Sequence, residues 1–288
     1  MEARNFSVLV IAHGRAGHLR NLLAGVERSA ELPCEVVLVY MDEPVPEPVS
    51  CIVPLRIHHV TSRPGESGLP LARARNTAAS AADSPNLVFL DVDCIPSDTL
   101  FTALLDAIEG EPVLAMAEPR YLPAPLQAGF GIDDAALLGA SVPHHARANL
   151  AGGGERSRHE MFWSLGFAIK AGIFFRMGGF DEGFTGYGAE DTDFAFRARK
   201  QEIPMCFVAE PLFHQHHGVH KPPLNHFEAI IANARNFHGR WGTWPMEGWL
   251  GAFAEMGLIR WDPEGSRIDV MRKPEAAEVE ATRSNDPY

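Results

Sequence analysis

The sequence predicts an α/β protein built on a mostly parallel sheet, and three observations predict it. Short apolar runs of strand length recur through the first half of the chain (FSVLVIA, EVVLVY and NLVFLDVD), and segments with helical patterning separate them. Aspartates stand where these strands leave the core: Asp42 after the second, Asp91 and Asp93 at the end of NLVFLDVD. Strands alternating with helices imply βαβ units and a parallel sheet, and strands apolar on both faces imply a sheet covered on both sides. Ligands bind such sheets at the carboxyl ends of the strands, so these aspartates are expected to converge on one cleft.

In order, Phe6–Ala12 is a strand, HGRAG a turn, and His18 to roughly Arg28 a helix. Glu35–Tyr40 is the second strand. The Pro-rich loop EPVPEPVS leads to a third over Leu55–Val60. Pro70–Ala82 is alanine-rich, carries two arginines and reads as a helix; the NLVFLDVD strand follows, then a helix over Ser97–Glu109 and a strand over Pro112–Glu118. Periodicity fades from Pro119 to His159, where long loops with a hinge at Gly152-Gly153-Gly154 are expected. Pro204–Ala209 is a last strand before HQHHGVH, and two amphipathic helices lie between about Leu224 and Trp261. The acidic tail from Lys273 lacks a core pattern and is expected to be disordered. The organisation implied is a main domain over 1–222, divided into 1–118 and 119–222, a helical extension over 223–272, and the tail 273–288.

The 288 residues, 46% hydrophobic and 22% charged, can bury a sizeable core. A net charge of −12 leaves no basic face for nucleic acid, so no nucleic-acid partner is expected. Any phosphate must then be met by local donors or a metal. No apolar run approaches the ~18 residues of a membrane span. MEARNFSVLVIAHG shows no leader pattern, and the four cysteines (Cys34, Cys51, Cys94, Cys206) form no CxxC pair. A cytoplasmic protein with free thiols is expected, with peripheral contact at the inner face of the membrane left open.

Three clusters carry chemistry. Asp91 and Asp93 are spaced i, i+2, so on an extended segment both carboxylates face one way and can approach one cation. Oxygen or mixed oxygen/nitrogen ligands favour Mg2+ or Mn2+; a plain strand-end turn is the alternative. In GGFDEGFTGYGAEDTDFAFRARK, acids at the start and bases at the end suit the dipole of a helix. That does not account for the glycines before Glu190-Asp191, which suit a loop delivering a carboxylate into a pocket. HQHHGVH holds four histidines; in extended geometry His214 and His216 point one way and His217 the other. A zinc hydrolase there would lack an HExxH motif and a cysteine partner.

In this order, the strand with D-x-D, the G-G-F-D-E…G-x-G-x-E-D loop and helix, and a histidine after the next strand resemble the GT-A glycosyltransferases of family 2. The C-terminal half is most similar to the galactosyltransferase-type subgroup, and the resemblance spans roughly Phe6 to His220. It implies a Rossmann-like GT-A fold with a C-terminal helical extension. The activity implied is metal-dependent, inverting transfer from a nucleotide-sugar, UDP-sugar favoured, to a hydroxyl of a glycan, lipid-linked or small-molecule acceptor. By resemblance Ala12, His13 and Arg15 contact base and ribose, and Asp42 receives the base. Arg73 and Asn76 match the "aRN" helix beside the diphosphate. Asp91 and Val92 border the nucleotide. Asp93 and Asp91 hold Mn2+ or Mg2+ with His214, or its rival His216. Asp191 is the base and Glu190 orients a sugar. Trp163, Gly166, Tyr187 and Gly188 line the acceptor site, with Tyr187 where the subgroup carries a tryptophan. The other four tryptophans, Trp241, Trp244, Trp249 and Trp261, read as packing of the C-terminal helices.

Two rival readings remain at this level. A nucleotidyltransferase requires a glycine-rich basic loop after the first strand, and HGRAGHLRN is poor in both glycine and lysine. A non-catalytic nucleotide-sugar or glycan-binding protein has no use for an acid at Asp191. A homodimer is left open.

Overall fold

Phe6–Ala12 (β1) and Glu35–Met41 (β2) are buried at every residue, because helices cover both faces of the sheet they build. In this computed structural model, residues 4–43, 49–127, 129–144 and 156–286 are described. The glycines at 152–154 and most of the Pro-rich loop lie outside them. Ala16–Arg28 (α1) follows β1, and Leu55–Val60 (β3), Leu71–Ala81 (α2) and Asn86–Asp91 (β4) complete a parallel unit. Its strands run in the order β3-β2-β1-β4, and β1 pairs in register with both β2 and β4. All four carboxyl ends therefore meet at one edge.

The second half departs from the expected parallel pattern. Cys94–Pro96 (β5) and Leu100–Ile108 (α3) precede Leu114–Tyr121 (β6), Asp134–Ala140 (α4), Val142–Pro143 (β7) and Arg156–Ser157 (β8). Gly166–Lys170 (β9), Ala171–Arg176 (α5), Glu190–Lys200 (α6) and Met205–His214 (β10) complete the sheet, whose order continues β4-β9-β6-β10-β5. β9 lies antiparallel between β4 and β6, while β6 and β10 are parallel. The helix expected from Ser97 starts only at Leu100, because the chain after Asp93 first forms β5, antiparallel to β10. That pairing sets His214 opposite Cys94 and so beside Asp93.

Alternation sends Phe6, Val8, Val10 and Ala12 into one apolar layer and Leu9 and Ile11 into the other. The second layer holds a group of phenylalanine rings, among them Phe89, Phe167, Phe174, Phe180 and Phe194. Gly166 sits in the middle of the sheet, paired with Leu90. A Cβ there would run into Leu212 and come 3.3 Å from Leu90 Cδ2. Gly166→Ala is expected to destabilise the protein by about 1–3 kcal/mol through overpacking, read from urea unfolding. Unchanged stability would show that β10 yields easily.

After β10 come Val219–His220 (β11), Phe227–Trp241 (α7), Glu247–Glu255 (α8), Ile259–Trp261 (β12) and Ile268–Val270 (β13). This extension has its own core around Phe227, Ile230, Trp244, Leu250 and Phe253. The tail differs from its expected disorder. Ala276–Ala281 (α9) is a helix with a capping box between Glu275 and Glu278, and Arg283–Ser284 (β14) pairs antiparallel with β11. Backbone pairing, the capping box and the single apolar contact of Val279 with the extension's core hold it, too little apolar patterning for hydropathy to register.

Candidate active site

The carboxyl edge of β4 divides the candidate site into two neighbouring clusters. β4 ends at Asp91, the chain turns through Val92 and Asp93, and β5 begins at Cys94. Because of that turn the two aspartates separate instead of sharing a face as an extended segment would have them. Asp91 accepts a hydrogen bond from Arg75 Nη2 at 3.1 Å, whereas Asp93 faces Arg15, His214 and His217.

Asp93 is buried, with His214 Nε2 3.7 Å from one carboxylate oxygen and His217 Nε2 3.4 Å and Arg15 Nη1 3.3 Å from the other. Burial by itself would raise its pKa; His214, the hydrogen bond with His217 and Arg15 outweigh it and hold the carboxyl below the usual range. His214 is pushed down to about 4, chiefly by burial, so its imidazole is neutral at pH 7 with a lone pair to offer. His217 stands between two acceptors, with Nδ1 3.0 Å from Gly218 O and Nε2 3.4 Å from Asp93; the tautomer that donates to Gly218 O turns the Nε2 lone pair toward Asp93. Two acceptors facing each other require a proton or a cation between them. Ligand atoms of Asp93, His214 and His217 all lie within 4.8 Å of one another, the spacing of a metal site. A carboxylate with two imidazoles, one of them donating its far N–H to a carbonyl, suits Mn2+ better than Mg2+.

His216 does not join this cluster. Its Nε2 donates to Asn285 O at 3.0 Å, because the chain leaves β10 at His214 and strand alternation no longer applies. His217 takes the place that alternation assigned to His216.

The second cluster surrounds Arg75, whose Nη1 lies 3.3 Å from Glu190 and whose guanidinium sits 5.2 Å from the centre of the Phe180 ring. Arg75, Glu190 and Asp193 are buried. Ala189 adopts φ 67°, and α6 begins directly after it, carrying Glu190 and Asp191 into the edge beside Arg75. Burial raises the pKa of Asp91, Glu190 and Asp191, with Arg75 opposing it in each case. A buried carboxylate with a raised pKa is suited to taking a proton. The side chain of Asp191 accepts from Thr192 N at 2.7 Å and Thr192 Oγ1 at 3.3 Å, and from the backbone of Ser164 just before β9. Across both clusters two guanidinium groups face four carboxyls, Asp91, Asp93, Glu190 and Asp191, a crowding of acids of the kind a divalent cation would relieve.

The remaining expected residues divide. Arg73 forms a two-pronged pair with Glu66 at 2.9 Å and donates to Thr61 O at 2.7 Å, so it braces the loop after β3; Arg75 is the arginine that enters the site. Two residues along a helix point to nearly opposite faces, and LARARN offers both arginines. Asn76 exchanges two 2.8 Å hydrogen bonds with the backbone of Phe180 and pins the GGF loop. Asp42 ties down Ser62 through its backbone N at 2.7 Å and its hydroxyl at 2.5 Å, and His13 donates to Met41 O at 2.7 Å. Ala12 and Val92 are buried in the core, so only their backbone can border a ligand.

Trp163 and Gly166 belong to the segment running along the end of β4, where Leu165 O accepts from Asp91 N at 2.9 Å. Gly166 serves packing, as above. Tyr187 stacks against His226 and Trp249 with centroids at 4.6 Å and 5.6 Å, and Gly188 admits Met246, whose sulfur would lie 2.6 Å from a Cβ there. Asn233, unnoticed in the sequence, donates to Thr185 O, Tyr187 O and Gly188 O at 2.9–3.3 Å and holds this loop to α7. The role is legible only once α7 is known to lie on the loop.

A helix-flanked sheet with acids, histidines and arginines gathered at its carboxyl edge defines a Rossmann-like α/β protein of the GT-A type. Residues 7–184 match the family described as Glycosyl transferase family 2, and the chain belongs to that family. The validoxylamine A glucosyltransferase of Streptomyces hygroscopicus subsp. limoneus is 29% identical over 251 residues, covering 79% of this chain and 54% of that protein. Its counterpart from subsp. jinggangensis (strain 5008) is 29% identical over the same length, with 58% of that protein covered. The chain thus spans little more than half of these curated relatives. Among solved structures, S. aureus TarS 1-349 superposes with TM-score 0.55 at 14% identity, over 81% of this chain and 65% of that one. GalNAc-T7 with UDP, GalNAc and Mn2+ superposes with TM-score 0.52 at 17% identity, over 74% and 44%. These structural likenesses concern the fold. Among the described residues, no helix is long and apolar enough to cross a membrane, and all four cysteines are free thiols.

Proposed function

We propose that this protein is a metal-dependent, inverting glycosyltransferase that moves a sugar from a UDP-sugar to an acceptor hydroxyl. The observation that carries the reading is the cluster of Asp93, His214 and His217, in which two imidazoles converge on one carboxylate with ligand atoms within 4.8 Å of one another. A divalent cation, Mn2+ by the donor set, when bound there supplies charge neutralisation for the departing diphosphate. Arg15 and Arg75 flank the aspartates and add fixed positive charge on the same side. Asp191 takes the acceptor hydroxyl's proton as the new oxygen–carbon bond forms and the anomeric carbon–phosphate oxygen bond breaks, releasing UDP. With one carboxylate acting as base and no covalent step, the configuration inverts. Glu190, held by Arg75, orients the reacting sugar. The names of the curated relatives favour a glucosyl donor. The acceptor hydroxyl belongs to a glycan, lipid-linked or small molecule.

The test is a thermal-shift panel of nucleoside diphosphates with and without Mn2+. UDP with Mn2+ is expected to stabilise by about 2.7 kcal/mol when the free ligand is about a hundred times its dissociation constant. Asp93→Ala is expected to abolish the metal-dependent part. A panel in which no nucleotide responds to metal would defeat the reading.

A further inference from the structure

The C-terminal segment 276–286 meets four residues of the histidine loop and its exit, His216, Val219, His220 and Lys221. Val219 pairs with Ser284 and His220 with Arg283, and Lys221 N donates to Thr282 O at 2.8 Å. His220 Nδ1 donates to Val279 O and to Thr282 Oγ1, both at 3.0 Å, while that hydroxyl itself donates to Val279 O at 2.7 Å. His216 Nε2 donates to Asn285 O. The opposite side of the same loop is held by α1 and the turn after β4. His18 Nε2 donates to His216 O at 3.2 Å, Gln215 Nε2 to His18 O at 3.0 Å, and Gln215 N to Asp93 O at 2.7 Å.

His217 is the middle of this loop, and among the described residues its side chain meets only Asp93, within the cluster, and Gly218 O, next in the chain. Its ring direction is therefore set by where the two flanks hold the backbone. The flank nearer the C-terminus is held by residues outside the matched family region.

We infer that the C-terminal segment positions His217, with Thr282 as its principal positioning residue, and so sets the metal affinity of the Asp93, His214 and His217 cluster. The inference rests on the metal reading of that cluster. Partners that orient a metal-binding histidine typically change affinity about 10- to 100-fold when lost. A segment that only completed the fold would shift unfolding and affinity together. A positioning segment lowers affinity while the metal-free protein unfolds at nearly the same temperature.

The experiment measures Mn2+ binding to the full chain by loss of the free-ion electron paramagnetic resonance signal, alongside metal-free thermal unfolding. Thr282→Val is expected to weaken Mn2+ binding several-fold, Thr282→Ser to restore it, and a chain ending at Arg272 to lose about tenfold or more. Wild-type affinity in both Thr282→Val and the shortened chain would overturn the positioning role and leave the metal reading intact. An unaltered chain that takes up no Mn2+ would overturn the metal reading, and the inference with it. If the shortened chain does not fold, the Val and Ser pair decides.

Discussion

Asp191→Asn is expected to lower turnover about 10²- to 10⁴-fold while nucleotide binding persists, the loss usual for a missing general base. Asparagine keeps the shape of the side chain and its local hydrogen bonding to Thr192 but cannot accept the acceptor's proton. The carboxylate stands among Arg75, Asp91 and Glu190, where burial raises its pKa and favours proton uptake. Release of UDP from a panel of UDP-sugars, with water as the first acceptor, measures the effect. Turnover close to wild type would remove Asp191 from the chemistry, and loss of UDP binding in the same variant would reassign it to the donor site. Stability is expected to change little, since the substitution relieves repulsion between neighbouring acids.

The opposite outcome is expected two residues along the same helix. Asp193 is fully buried, and its carboxylate accepts from Arg197 Nε at 2.8 Å, Arg240 Nη1 at 2.8 Å and Trp241 Nε1 at 3.0 Å. It joins α6 to the end of α7, and Arg240 also pairs with Asp181 of the GGFDE loop. Removing one member of such a network leaves buried donors unpaired, so Asp193→Ala is expected to cost about 3–5 kcal/mol, read from urea unfolding. Among the described residues Arg197 Nη2 already lacks a hydrogen-bond partner, and the loss of Nε's partner leaves that guanidinium with Met177 O as its one acceptor there. A loss below about 1 kcal/mol would mean that the helices hold together through their apolar contacts alone. In the sequence, the dipole argument covers Glu190, Asp191 and Asp193 equally; only their neighbours separate the proposed proton acceptor from the anchor that ties α6 to α7.

Much of the half over residues 1–118 was legible because each of its elements is specified locally. Runs such as FSVLVIA and EVVLVY are apolar except for Ser7 and Glu35, which bond each other, and the parallel pairing follows from the helices between them. β9 was not legible as an antiparallel insertion, since WSLGFAIK has the composition of any buried strand and its direction depends on distant partners. The tail was misread because a capping box and two backbone pairs carry no hydropathic signal.

The site divides the same way. Through the family resemblance, motif order points to Asp91, Asp93, His214, Glu190 and Asp191; the acids after a strand, acids opening a helix and histidines after a strand that carry it are local patterns. Arg75 over Arg73, and His217 over His216, were decided by tertiary structure. A helix shows one of two nearby arginines to the sheet edge, and a chain leaving a strand no longer alternates. The sequence by itself thus determined the parallel α/β half and the residue types gathered at its carboxyl edge, since short-range patterning encodes both. Which side chains meet there, and that residues 276–286 close over the histidine loop, depended on contacts between residues up to two hundred positions apart. No local pattern specifies such contacts; packing selects them.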